Sequence, residues 1–332
     1  MYGKIRSKFN LMKSRKIILL ILILVSAVFF TTLNTAAYSE EKVNFNIRYK
    51  DLEVSLNEFS LFLTPGEKIE LKAFSENSQS RFSFVGVSGS FLYRNGNTLG
   101  WQAPDQPGHY KMSVKNINSQ YPNSTMKLNI FVLHPFKRQK AGYIGEFRLG
   151  SFPAIPADKT NYYKVPKGFL EIRESMLDIS LSPHFKLSQF LTNQTDMIPQ
   201  YIAIQESLIL KLEKLLAEVN KRGIKAETFK IVSAFRTPYY NKKIGNNTDL
   251  SRHVFGDAAD IYIDNSGNDW MDDLNNDGKV NIRDAEVLMD IVIDFDRNTE
   301  NPALLGGTSS YKTNHVRGPF VHVDTRGFHV IW

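Results

Sequence analysis

The stretch Ser251-Arg252-His253-Val254-Phe255-Gly256-Asp257-Ala258-Ala259-Asp260-Ile261, taken with Gly318-Pro319-Phe320-Val321-His322-Val323-Asp324, holds the most informative chemistry in the chain. The sequence contains no cysteine, so a metal site must be built from His, Asp and Glu. Zinc then takes imidazole and carboxylate ligands, and a catalytic zinc uses three of them, leaving its fourth position for water or substrate. His253 and Asp260 stand too far apart in sequence to share one helical turn. They converge if His253 lies in a loop and Asp260 on the strand returning from it, with Gly256, Ala258 and Ala259 permitting close approach. His322, on a neighbouring strand, completes the set. Spacing alone is weak support, because His-x6-Asp is common by chance.

Between Asp260 and His322 lies a twelve-residue run, 273–284, with the pattern of a calcium loop. Oxygen-bearing side chains fall at its positions 1, 3, 5, 9 and 12 (Asp273, Asn275, Asp277, Asn281, Asp284). Gly278 occupies position 6, and Lys279 at position 7 would lend its backbone carbonyl. Asp284 stands where Glu is usual, which resembles dockerin-type loops. The apolar stripe Ile282, Ala285, Leu288, Val292 and Phe295 predicts a helix directly after it. Calcium here is expected to be structural, pinning the walls of the zinc cleft.

Working outward, a long amphipathic helix is predicted over 200–221, stopped at Gly223. Ser182-Pro183-His184-Phe185-Lys186-Leu187-Ser188-Gln189-Phe190 can open a short helix. Strands are expected at 228–233, 259–263 and 320–324. Residues 136–170, rich in Gly, Pro and aromatics, read as a linker before a mixed domain at 171–332. Residues 42–135 read as all-β: alternation at Met126, Leu128, Ile130 and Val132, with turns at Pro65-Gly66 and Asn95-Gly96-Asn97, suggests six or seven strands in an immunoglobulin-like sandwich. The fold class expected overall is α+β, a peptidase-type domain with an antiparallel sheet following an all-β sandwich.

The formal net charge of +7 is concentrated at the N-terminus, where Lys4, Arg6, Lys8, Lys13, Arg15 and Lys16 precede an apolar run at 17–30. The remainder is close to neutral, which argues against nucleic-acid binding. A basic segment followed by a short apolar one is the layout of a secretory signal or a membrane anchor, assigned to 1–37. Either way the chain would be exported to the periplasm or cell envelope, with inner-membrane attachment through 17–30 if the segment is retained.

Four segments in order resemble the zinc D-Ala-D-Ala carboxypeptidase and hedgehog-like metallopeptidase family, peptidase M15 type, including the murein endopeptidases. Ser233-Ala234-Phe235-Arg236-Thr237-Pro238-Tyr239-Tyr240-Asn241 is similar to its S-x-x-R-[ST]-x-x-x-N segment, and 251–261 to its S-x-H-x-x-G-x-A-x-D-[IV] segment. Gly306-Gly307 followed by Tyr311 resembles its glycine-rich turn, and Phe320-Val321-His322-Val323-Asp324-Thr325 its final strand. The resemblance covers about 180–332. It implies zinc on His253, Asp260 and His322, and an Arg236 that binds a substrate carbonyl or carboxylate, or else forms a structural ion pair. Ser233 and Ser251 would be structural, bonding nearby backbone. Some relatives place an acidic residue three positions before the last His; here that position is Pro319. Asp324 is therefore either the general base or the partner that orients a ligand histidine, with His315 a lesser candidate base. The implied activity is hydrolysis of peptidoglycan peptide bonds, as endopeptidase or carboxypeptidase. The competing expectations are a non-catalytic zinc-containing wall-binding protein and an envelope scaffold working through its sandwich.

Overall fold

Alternating apolar residues make strands of the first third of the chain. In β1 (Lys42–Tyr49) Val43, Phe45, Ile47 and Tyr49 are buried while their neighbours face outward. The series continues with β2 (Leu52–Leu56), β3 (Glu58–Leu63), β4 (Lys68–Phe74), β5 (Phe82–Gly86), β6 (Ser90–Asn95), β7 (Thr98–Gln102), β8 (Gly108–Asn116) and β9 (Thr125–Val132). They form two sheets, β2-β1-β4-β7-β6 and β3-β9-β8-β5. Met126, Leu128, Ile130 and Val132 of β9 are all buried, as their alternation predicts. The inner faces meet where the Phe45 and Phe82 rings lie 5.1 Å apart. The expected six or seven strands are thus nine. The sequence undercounts them because only Asn57 separates β2 from β3, with no Gly or Pro to mark the break.

This computed structural model describes residues 38–332 except 87, 119–123, 137–141, 247 and 249. The expected signal or anchor at 1–37, with its apolar run at 17–30, lies outside the described residues. Among those described, no helix is long and apolar enough to cross a membrane. Ser39–Trp332 form one compact unit, α+β in class, with antiparallel pairing dominant and few helices.

After β9 come β10 (His134–Pro135), the hairpin β11 (Tyr143–Ile144) and β12 (Phe147–Arg148), β13 (Gly168–Ile172), the hairpin β14 (Ser180–Ser182) and β15 (Phe185–Lys186), and β16 (Gln200–Ile202). The helix expected at 182–190 is this β14–β15 hairpin and a 3-10 turn at Leu187–Phe190. The helix expected from 200 begins later, as α1 (Glu206–Lys221). Residue 202 belongs to β16, where it pairs with Leu170 of β13; the β-favouring Tyr201 and Ile202 find a strand partner that local periodicity cannot see. Gly223, at φ 85°, stops α1 as predicted.

The remaining elements are β17 (Lys230–Ser233), α2 (Pro238–Lys243), β18 (Ala258–Tyr262), α3 (Ile282–Asn298), β19 (Gly307–Tyr311), β20 (Phe320–Asp324) and β21 (Val330–Ile331). Their sheet has the order β17-β18-β20-β19-β21. Two further strands thus flank the expected ones, since Gly307–Tyr311, read as a turn, is β19. The predicted stripe of α3 buries Ala285, Leu288 and Val292.

A buried ion pair ties both long helices to the central sheet. Lys211 of α1 donates to Asp296 Oδ1 of α3 at 2.7 Å and to the Asp324 carbonyl of β20 at 3.0 Å, and both charged side chains are fully buried. Removing one member of such a pair leaves an uncompensated charge, whereas replacing both with apolar residues is far milder. Lys211→Ala is therefore expected to cost roughly 3–5 kcal/mol of unfolding free energy, and Lys211→Met combined with Asp296→Leu clearly less. Urea denaturation checks this; equal costs would mean that Lys211 contributes only its hydrocarbon stem.

Candidate metal centre

Strand register brings the distant candidate ligands together. β18 and β20 pair so that Asp260 stands opposite His322, and cross-strand neighbours hold their Cβ atoms about 4.5–5.5 Å apart. His253 arrives from the 3-10 turn Arg252–Phe255. That turn closes at Gly256, φ 77°, where a Cβ would meet the Ala203 carbonyl at 2.7 Å. Only glycine fits both the left-handed conformation and the contact. Arg252 and Asp257, both buried, clamp the turn with a paired fork: Nε donates to Oδ1 at 3.1 Å and Nη2 donates to Oδ2.

His253 Nε2, His322 Nδ1 and Asp260 Oδ1 are mutual neighbours. The two nitrogens lie 3.2 Å apart, and each is within 3.2 Å of the carboxylate oxygen, at 3.2 and 3.0 Å. Tetrahedral zinc with bonds near 2.05 Å sets its ligand atoms about 3.3 Å apart, so this trio fits the ion. The three form a group able to hold a metal, and all line one cleft of ≈ 640 Å³.

Outer partners fix which atoms face inward. His253 Nδ1 donates to the Ala234 carbonyl at 2.7 Å, so Nε2 keeps its lone pair. His322 Nε2 donates to Asp324 Oδ2 at 3.2 Å, freeing Nδ1. Arg236 Nη2 donates to Asp260 Oδ2, turning Oδ1 toward the imidazoles. This is the usual support of metal-ligating histidines and carboxylates. Burial holds the His253 imidazole below its ordinary value. Burial also opposes the charged form of His322, but hydrogen bonds to Asp260 and Asp324 outweigh it and raise its pKa. Burial likewise pushes Asp260 up, yet the two imidazoles hold it well below the usual carboxylate range.

Of the two roles open to Asp324, the geometry supports the orienting one. Its carboxylate is fully buried and already accepts from His322, from the Gly307 amide at 2.8 Å and from Arg326. It does not line the cleft. β19 can lie this close because of Gly306, where a Cβ would fall 1.6 Å from the Asp324 carbonyl oxygen. Arg236 is the ion-pair partner of Asp260 rather than an uncommitted substrate clamp; its Nε donates to Ser233 Oγ at 2.8 Å, so Ser233 bonds a side chain, not backbone. Ser251 lends no side-chain cap to the turn it precedes. His315 is exposed and does not line the cleft.

Sequence reading missed several cleft residues: Tyr163, from the segment read as linker, together with Arg317, Arg326 and Trp332. The Trp332 ring lies 5.2 Å from that of His322. Only the basic residue two positions after Asp324 gave a local signal, as a ready partner for that carboxylate.

The calcium-type loop folds on its own backbone. Asp273 accepts from the Asp277 and Gly278 amides at 3.2 and 2.7 Å, Asn275 Oδ1 from Asp277 N at 2.9 Å, and Asp277 Oδ1 from Lys279 N at 2.9 Å. Asn281 and Asp284 form the capping box of α3, and Asp284 also accepts from the Leu274 and Asn275 amides. Among the described residues, Asp273, Asp277 and Asp284 are not drawn into one metal-holding group.

One zinc per chain is expected by elemental analysis, lost in His253→Ala, Asp260→Ala and His322→Ala. Asp324→Asn should keep zinc but bind it about 10–100-fold more weakly; unchanged affinity would remove the orienting role. Zinc requires neutral imidazoles. Because the His322 pKa is raised, affinity should begin to fall while pH is still above about 6.5, the ordinary imidazole value, and be flat at higher pH. Competition titrations with a chromogenic chelator across pH test this.

No family model matches the chain, and no curated protein matches it. Among solved structures, a 2,6-sialyltransferase from a Photobacterium species is similar over 24% of this chain and 18% of its own, at 18% identity and a TM-score of 0.20. A DUF4784 family protein from Bacteroides caccae is similar over 40% of each chain, at 10% identity and a TM-score of 0.17. The chain spans less than half the length of either, and neither likeness bears on its fold or site.

Proposed function

We propose that the protein is an exported zinc peptidase that hydrolyses peptide bonds of peptidoglycan, with its C-terminal half in the fold of the D-Ala-D-Ala carboxypeptidase and hedgehog-like metallopeptidases and its N-terminal strands forming an immunoglobulin-like sandwich. One observation carries this reading: two imidazole lone pairs and one carboxylate oxygen converge at 3.0–3.2 Å on the wall of an open cleft, each aimed by a separate hydrogen-bond partner. Zinc, when bound, supplies Lewis-acid polarisation of a peptide carbonyl and acidifies water.

The chain's own residues divide the remaining work. His253 and His322 are kept in the ligating tautomers by Ala234 and Asp324. Asp260 brings one negative charge, oriented by Arg236. Trp332 and Tyr163 wall the cleft.

A second reading, a zinc-containing protein that binds cell wall without cutting it, draws on one observation. Among the described residues lining the cleft, Asp260 is the only carboxylate, so no separate acidic base faces a substrate there. Incubation of purified sacculi separates the two. The peptidase reading expects soluble muropeptides, abolished by a zinc chelator and by His322→Ala. Sedimentation of the zinc-loaded protein with sacculi and no release would support the binding protein instead.

Calcium is proposed as a structural ion of the 273–284 loop, held by Asp273, Asn275, Asp277, Asn281, Asp284 and the Lys279 carbonyl. Asp284 would turn from its backbone partners to reach it. Calcium should raise the melting temperature of the wild type, and Asp277→Ala should abolish the rise. Identical melting with calcium and with EGTA would remove this site.

A further inference from the structure

The cleft around the candidate ligands is cationic. Lys159, Arg236, Arg252, Arg317 and Arg326 line it against the single carboxylate of Asp260. Three of these cations are already committed: Arg236 to Asp260, Arg252 to Asp257, and Arg326 to Asp324. Lys159 and Arg317 have no carboxylate partner among the described residues, and they differ in how they are held. Lys159 is exposed on a 3-10 turn, so its flexible ammonium would have to be ordered by any ligand it met.

Arg317 is half-buried and pre-oriented. Asn314 closes a turn beneath it: Asn314 Oδ1 accepts from the Val316 and Arg317 amides at 2.8 and 3.1 Å, and Asn314 N donates to the Arg317 carbonyl at 3.0 Å. The guanidinium lies over the Phe320 ring, 4.4 Å from its centroid. Phe320 is stacked in turn on Tyr311, with centroids 4.8 Å apart and planes within 3°. Tyr311 OH accepts from Trp332 Nε1 at 3.1 Å, and Trp332 abuts His322. A continuous aromatic wall thus runs from a candidate ligand to Arg317. A guanidinium that rests over a ring spends none of its N–H donors on carboxylates, and those donors match an incoming carboxylate as a two-toothed fork.

We propose that Arg317 is the specificity-determining residue of the cleft, holding a free carboxylate of the peptide substrate. This rests on the peptidase reading and deepens it. The anion-binding role expected of Arg236 passes to Arg317, because Arg236 is occupied in holding Asp260. Substrates are then peptides carrying a carboxylate near the scissile bond, and their uncharged amides are poor.

The test compares soluble muropeptides with the same material after carbodiimide-driven amidation of its carboxylates, using zinc-loaded wild type, Arg317→Ala and Arg317→Lys, each checked for bound zinc. Wild type should prefer the free acids by about tenfold or more in kcat/KM, as a charge-assisted pair implies. In Arg317→Ala that ratio should collapse toward one, mainly through a raised KM, and Arg317→Lys should recover part of it. An undiminished ratio in Arg317→Ala overturns the proposal. Calorimetric binding of the two muropeptide preparations to the same proteins separates failure of the peptidase reading from failure of the subsite. Absent turnover with acid-selective binding that disappears in Arg317→Ala removes the peptidase and keeps the subsite; binding that does not distinguish acid from amide in wild type removes the subsite.

Discussion

Three electron-rich atoms held about 3 Å apart inside a protein repel one another unless a cation or a shared proton sits among them. That constraint organises the C-terminal half. His253 Nε2, His322 Nδ1 and Asp260 Oδ1 are each fixed from behind, by a carbonyl, a carboxylate and a guanidinium respectively, so none can rotate away without forfeiting a buried hydrogen bond. Leaving such a partner unpaired costs on the order of 1–3 kcal/mol. The three side chains are therefore held in place by their surroundings.

Those surroundings extend through the sheet to the helices. Asp324 orients His322 with its side chain while its carbonyl receives the Lys211 ammonium. Asp296, which neutralises Lys211, also receives the Gly306 amide at 3.3 Å. One buried network thus spans α1, α3, β19 and β20. The β-sheet layer is joined to the same helix end, where the Phe62 amide donates to Glu206 Oε1 at 3.1 Å. The N-terminal strands brace the start of α1 rather than hanging apart from it.

Electrostatics give the cleft its sign. The chain beyond its basic N-terminus is nearly neutral, yet the cleft gathers five cationic side chains. Three are spent on internal carboxylates, and that expenditure holds the ligands and the His253 turn. The surplus, and especially a guanidinium stacked on an aromatic wall, is what an incoming anion would meet.

The sequence by itself determined the strands that carry Asp260 and His322, the alternation of β9, and the helix after residue 281, because each is written in short-range pattern, a period of two or a period near 3.6; it put forward His253, Asp260 and His322 as candidate ligands only through a resemblance, and their convergence is a matter of tertiary structure. It did not determine where α1 starts, since Tyr201 and Ile202 answer to a strand partner at 170–171 and not to their neighbours. Nor could it choose between the roles of Asp324 or of Arg236, because a carboxylate becomes a base or a brace according to which donors surround it, and a guanidinium a clamp or a strut according to its acceptors: Gly307 and Arg326 donate to Asp324, while Asp260 and Ser233 accept from Arg236. Tertiary structure alone decided that Arg317 and Trp332 share a wall with His322, for stacking and cross-strand register join residues whose separation along the chain leaves no periodic trace.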